Sequence, residues 1–227
     1  MRSGLNNIAA LLLVGLGLPA AAQPFNLRID PHGQEYAETA FGVEVMDDGN
    51  YMVISGAGFT DGQFFYSSVV TAVVVSPTGE WLGTDHIWYP LHATYPGRSN
   101  SMDKRVDGGF VAGGSTFRSD SLNNWIQRPA LFFLADDGSF EDFWELGPEN
   151  QEWIGRQAKQ TPDGGYVICG ETSSVGNALQ AFVIKTDAQG NEEWTQAYGG
   201  QWNDYCNSVE PRSSGGYFMG GQKRITA

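Results

Sequence analysis

The chain has 227 residues, a formal charge of −13 and an aromatic content of 13%. A surface this acidic repels phosphate backbones, which excludes nucleic acid as a natural partner. Thirty glycines, many aromatics and only 13 lysines and arginines suit short strands joined by tight turns.

In chain order, residues 1–22 read as a secretory signal peptide. Arg2 is the charged leader, Ile8 to Leu18 the apolar run, and Ala20 and Ala22 the small residues ahead of a cut before Gln23. A buried N-terminal helix is the other reading of this run. The run is too short and too interrupted by glycine to cross a bilayer, and no later stretch is long enough, so no membrane span is expected in the mature chain. Cleavage removes Arg2 and no acidic group, taking the charge from −13 to −14. "FNLRI", from Phe25, is the first expected strand.

From there the sequence repeats itself. "DGNYMVISG" starts at Asp48, "DGGFVAGG" at Asp107, "DGGYVICG" at Asp163 and "SGGYFMGG" at Ser214, so the anchors are 59, 56 and 51 residues apart. Each is followed by an aromatic (Tyr51, Phe110, Tyr166, Tyr217) and an apolar run ending in glycine (Gly56, Gly114, Gly170, Gly221). Next comes a second apolar run with its own glycine turn (Gly79, Gly138, Gly190). An aromatic then follows at an even offset (Trp81, Phe140, Trp194), which keeps it on one side of a strand. Ahead of each anchor lie a small column (Ala40, Ser99, Gly155, Cys206) and an apolar column (Val43, Met102, Ala158, Val209). A small column is what a crowded position near an axis requires.

Each unit thus predicts four short antiparallel strands, A to D, with almost no helix. The fold class is all-β: a propeller-like array of four-stranded antiparallel blades, three full repeats and a partial fourth. The repeats span about 36–97, 98–152, 153–200 and 201–227. The Asp of D-G-G holds the A–B turn through nearby backbone N–H groups, and a glycine supplies its positive φ. The alternative, a cation at Asp47–Asp48 or Asp136–Asp137, lacks the alternating acids and distal Glu of a calcium loop.

Over Asp163 to Gly200, and less closely over Tyr36 to Gly221, the sequence resembles the DGGY-type propeller repeats of secreted bacterial proteins. These are found especially in Bacteroidetes-type proteins with a type IX sorting domain. The resemblance implies an extracellular or cell-surface propeller and supplies no catalytic residues. No sorting domain follows Gly221. "FNLRI", three blades and two further strands make fifteen strands, so the array is expected to be incomplete or open, as the N-terminal part of a longer propeller or a truncated product.

The A–B and C–D turns are short. The connections at the other end are long: 57–68, 115–128 and 171–179 between B and C, and 83–97, 146–152 and 198–203 between D and A. Binding residues concentrate on such loops. The candidate ligand-binding set is Trp125, Trp88, Tyr95, Asn123, Asn124 and Asp204, an aromatic face for a glycan or an extracellular protein. The bland alternative is that each aromatic packs under its own loop. Trp153 and Trp202 recur in successive repeats and read as structural, whereas Trp125 has no such counterpart.

Cys169 and Cys206 are either buried free thiols or an inter-blade disulfide. His32, His86 and His92 lack metal-ligand company. No cofactor fingerprint or nucleophile motif is present. "TDAQGNEEW" loosely resembles the repeat of quinone-cofactor propellers, but only one of three copies fits, and no cofactor is expected. The expected function is a non-catalytic binding or scaffold module, in adhesion or glycan contact. The alternatives are a glycan hydrolase or lyase using Asp61, Asp120, Glu149, Glu152 or Asp204, and a fragment with no function of its own.

Overall fold

The computed structural model describes residues 37–60, 65–87, 93–98, 100–119 and 125–225. The signal-peptide segment and "FNLRI" lie outside them. All regular structure among the described residues is strand. Sheet 1 holds β1 (Ala37–Val45), β2 (Tyr51–Thr60), β3 (Phe65–Val75) and β4 (Trp81–Ile87). Sheet 2 holds β5 (Ala93–Pro96), β6 (Met102–Lys104), β7 (Phe110–Ser119), β8 (Trp125–Leu134) and β9 (Phe140–Glu145). Sheet 3 holds β10 (Trp153–Gln160), β11 (Tyr166–Thr172), β12 (Gln180–Thr186) and β13 (Glu192–Tyr198). A pair, β14 (Asp204–Pro211) and β15 (Tyr217–Lys223), ends the array. Every pairing is antiparallel, strands neighbour one another in chain order, and no sheet closes on itself.

Fifteen strands are described, but not the fifteen expected. The inner strand of sheet 2 is broken into β5 and β6, both paired with β7. Residues 93–96, expected in a loop of the first repeat, therefore belong to the second sheet. The long connections also shrink, because strands continue through polar residues. β7 runs to Ser119 and β8 starts at Trp125, within the expected loop 115–128.

The period-two alternation of each strand assigns its side chains to two neighbours. Met52, Ile54, Val70 and Ala72 of sheet 1 pack against Phe110, Ala112, Ala130, Phe132 and Leu134 of sheet 2. The intervening residues of sheet 2, Val111, Leu131 and Phe133, pack instead with Tyr166, Ile168, Phe182 and Ile184 of sheet 3. Val167, Cys169, Ala181 and Val183 of sheet 3 then meet Cys206, Val209 and Tyr217. The sheets are blades, and sheets 2 and 3 are each sandwiched between their neighbours in sequence. Fully buried side chains such as Phe182 and Phe132 contribute ~1.5–3 kcal/mol each. The apolar column faces the preceding blade: Met102, Ala158 and Val209 are buried, while Val43, with no preceding blade among the described residues, is 39% exposed. The turn aromatics obey the same rule. Phe110, Tyr166 and Tyr217 lie in the first, second and third seams.

The inner strands adjoin one another in the order β1, β6, β10, β14. Each of β1, β10 and β14 carries a bulge immediately after its small-column residue. In three blades a carbonyl of the inner strand comes close to the glycine closing strand B. A Cβ on Gly170 would sit 1.8 Å from the Ile154 oxygen, and one on Gly221 would sit 1.8 Å from the Tyr205 oxygen. Gly114 stands in the same relation to Tyr95, at 2.2 Å.

A hydrogen-bond relay links the inner strands. The Asn100 N–H donates to the Phe41 carbonyl at 2.7 Å. The Gln157 side-chain amide donates to the Asn100 carbonyl at 2.8 Å, and its oxygen accepts the Val209 N–H at 2.8 Å. One buried glutamine therefore ties the second, third and fourth repeats together.

In the third blade the D-G-G turn forms as the motif predicts. The Asp163 carboxylate accepts the Thr161 hydroxyl and the Gly165 N–H, and Gly164 adopts φ 84°. In the second blade Asp136, not Asp107, accepts the Gly109 N–H, at 2.6 Å. Asp48 and Asp137 bond backbone N–H groups two residues on, and Asp47 pairs with Lys104. These acids serve the turns, and no three His, Cys, Asp or Glu side chains converge as a metal site among the described residues.

The buried ammonium of Lys185 lies 3.0 Å from Asp163 and 2.8 Å from Glu193. Burial pulls its pKa down, but the bonds to Glu193 and Asp163 outweigh that and hold it above the ordinary value. The Thr161 hydroxyl and then Lys185 lower Asp163 to about 2. A carboxylate depressed by folding stabilises above its unfolded pKa and loses that contribution as pH falls through its folded value. Urea midpoints of the wild type are therefore expected to drop between about pH 4 and pH 2. The Asp163→Asn variant should be less stable at pH 6 and lose less over that window. Parallel acid limbs would contradict the assignment.

Cys169 and Cys206 are both buried and both are free thiols in this structure. The Cys169 thiol is directed at the Cys206 carbonyl oxygen, 3.7 Å away.

Candidate functional site

The end of sheet 2 remote from the D-G-G turns presents a row of aromatics. β7 and β8 pair Ser119 with Trp125 and Phe117 with Gln127, which puts Phe117 and Trp125 diagonally adjacent on one face. β5 pairs Tyr95 with Ser115, adding a third ring to that face. The Phe117 and Trp125 rings are stacked, 5.4 Å apart with an interplanar angle of 30°, and Tyr95 meets Phe117 edge-on at 6.3 Å. The face is the one that carries Leu131 and Phe133 toward sheet 3. Trp125, the first residue of β8, is 60% exposed. Burial raises the pKa of the Tyr95 phenol, so this ring carries no charge at neutral pH.

The opposite face pins the same strand ends. Glu145 accepts the Thr116 hydroxyl, and its carboxylate lies 3.1 Å from both Arg118 and Arg128. Arg128 also donates to the Gly147 carbonyl at 2.6 Å. Two arginines on one carboxylate keep β7 and β8 paired out to their polar tips, so the ring row stands on a fixed support.

Of the sequence candidates, Tyr95 and Trp125 are brought together, both from strands and not loops. Trp88, Asn123 and Asn124 lie outside the described residues, as do Asp61 and Asp120. Asp204 is elsewhere, at the start of β14 in the seam between sheet 3 and the last pair. Its N–H donates to the Leu179 carbonyl at 2.8 Å and one carboxylate oxygen accepts the Gly200 N–H at 3.0 Å. The other oxygen is buried with no partner among the described residues. Asp204 borders two adjoining cavities of about 330 and 270 Å³, near Tyr198, Trp202 and Lys223. Trp153 is 4% exposed and packs against Phe182 at 4.8 Å, the structural role its recurrence implied.

Sequence reasoning missed Phe117, whose signal was its place two residues before the strand end, on the same side as the glycine-spaced core positions. It also missed the ion pair of Arg156 with Glu171, whose carboxylate is 3% exposed. The Arg156 Nε–Glu171 contact is 2.9 Å and a second guanidinium nitrogen bonds the other oxygen, a forked geometry. Arg156 is the bulged residue of β10, and this pair fixes the bulge.

No protein-family model matches the sequence, and no curated protein matches it either. Among solved structures the chain is similar to fructan 1-exohydrolase IIa from Cichorium intybus, in complex with 1-kestose, with a TM-score of 0.48 and 14% identity. The likeness covers 76% of this chain and 33% of that one, so the chain spans a third of that protein's length. Among the described residues no helix is long and apolar enough to cross a membrane.

Proposed function

We propose that this protein is a secreted or cell-surface binding module that contacts a glycan through the ring row of sheet 2, without turning it over. The observation that carries the reading is Trp125, a large aromatic held 60% exposed at a strand terminus and stacked on Phe117. An indole face so placed offers apolar area for the C–H face of a sugar ring, at little ordering cost because its support is already fixed. Asn123 and Asn124, the two residues that precede Trp125 in the sequence, are the proposed partners for hydroxyl groups. Secretion rests on the leader-like N-terminus and on the resemblance to secreted bacterial repeats.

A glycan array followed by titration of the best hit tests this. Trp125→Ala is expected to weaken binding by about tenfold or more, equivalent to ~1.4 kcal/mol, with little change in thermal stability because the ring is mostly in solvent. Equal binding by wild type and variant, or no glycan bound at all, would sink the reading. Release of product sugars, lost in Asp204→Asn or Glu152→Gln, would instead establish a hydrolase or lyase.

A further inference from the structure

The two cysteines of the chain face one another across the third seam. Cys169 lies on β11 beside Val167, and Cys206 lies on β14 immediately before its bulge. Both belong to one buried group with Ala181, Val183 and Val209. The Cys169 thiol is 3.7 Å from the Cys206 carbonyl oxygen, and the Cys206 thiol is 3.3 Å from the Ser208 carbonyl oxygen. With only two cysteines in the sequence there is no competing pairing. The environments differ in one respect. Cys206 lines the cavity of about 330 Å³ with Tyr198, Gly199 and Met219, and Cys169 does not.

We propose that Cys169 and Cys206 form a redox-active dithiol that closes to an inter-blade disulfide by exchange with a disulfide oxidant. The sulfur of Cys206, the residue of the pair that borders the cavity, attacks one sulfur of the oxidant R–S–S–R. A Cys206–S–S–R bond forms, and the first RS⁻ leaves and takes up the proton Cys206 has lost. Cys169 then attacks the Cys206 sulfur, and the second RS⁻ leaves with the Cys169 proton. Two electrons pass from the protein thiols to the oxidant, which is reduced to two thiols. The cavity beside Cys206 supports this order, because Cys169 has no such opening. The directions of the two shifts agree with it: the mutual interaction of the pair holds Cys206 below the usual thiol range, while that interaction and burial push Cys169 up. The lower-pKa thiol supplies the attacking thiolate. The product staples β11 to β14, residues 37 apart in sequence, across a seam that Gln157 and Asp204 also bridge.

The test equilibrates the purified protein in oxidised and reduced glutathione buffers, then alkylates free thiols and measures mass. Expected are the joint loss of both alkylatable thiols, a mass lower by two hydrogens, a linked peptide pair containing Cys169 and Cys206, and a melting temperature raised by about 5–15 °C. Two thiols that stay alkylatable in the most oxidising buffer, or a glutathione adduct that persists on the wild type, would overturn the proposal. Cys169→Ser should accumulate the glutathione adduct on Cys206, whereas Cys206→Ser should leave Cys169 unmodified. The reverse pattern would overturn the order of attack. Should either variant fail to fold, the wild-type mass measurement decides alone.

Discussion

Gly97→Ala is expected to destabilise the protein by about 3–5 kcal/mol, lowering the melting temperature by roughly 10 °C or more. Gly97 is buried in the break between β5 and β6, with its N–H donated to the Gly113 carbonyl at 2.8 Å. A Cβ there would lie 1.5 Å from the Arg156 carbonyl oxygen and 2.7 Å from that of Gly113. Both are backbone atoms, and Arg156 belongs to the next blade, so relief requires blades 2 and 3 to separate. Gly83 is the internal control. Its Cβ would meet nothing within 4 Å, and Gly83→Ala should change stability by no more than about 0.5 kcal/mol. Thermal denaturation of the two variants beside the wild type reads the difference.

The second large effect is expected at Gln157. Gln157→Leu keeps the bulk and removes both side-chain bonds, leaving the Val209 N–H and the Asn100 carbonyl without their partner. Gln157 is 3% exposed and Val209 1%, so water does not readily replace what is lost. An orphaned buried group costs about 1–3 kcal/mol, and the variant is expected to lose about 2–4 kcal/mol in urea unfolding. Gln157→Glu is the informative companion. A carboxylate still accepts from Val209 but cannot donate to Asn100, so its loss should be at least as great.

The sequence pattern reached the fold through residues that every blade must repeat. Gly164 and Tyr166 form a corner and a seam contact found again at Gly108 with Phe110 and at Gly215 with Tyr217. The small column marks three inner strands, at Ala40 of β1, Gly155 of β10 and Cys206 of β14, while its fourth member, Ser99, lies outside the described residues. What repeats is legible because each copy solves the same steric problem. Gln157 and Arg156 were not legible. The positions aligned with Gln157 in the other copies hold Gly42, Ser101 and Ser208, so no period carries the relay, and only the placement of three inner strands reveals it. The strand tips were misjudged for a related reason. Thr116, Arg118 and Arg128 look like loop chemistry, and it takes Glu145 from a third strand to make them a paired strand end.

The candidate site follows the same division. Trp125 stood out in the sequence because no other repeat has it, and its exposure agrees with that reading. The stretch around Tyr95 reads as a loop because it lacks apolar alternation. It lies in β5 because β7 extends far enough to pair with it. Asp204 was grouped with the aromatics by its place between repeats, but its seam is a different one.

Amide hydrogen exchange at Val209, in the wild type and in Gln157→Leu, tests most directly that the inner strands of successive blades stand side by side and bond through the relay. In the wild type the Val209 amide should exchange as slowly as the sheet-interior amides of Val167 and Ile168. In the variant it should exchange many times faster than those two, beyond any change they share. Equal protection of Val209 relative to Val167 and Ile168 in both proteins would mean that its N–H finds its partner elsewhere, and the side-by-side arrangement of these blades would be wrong.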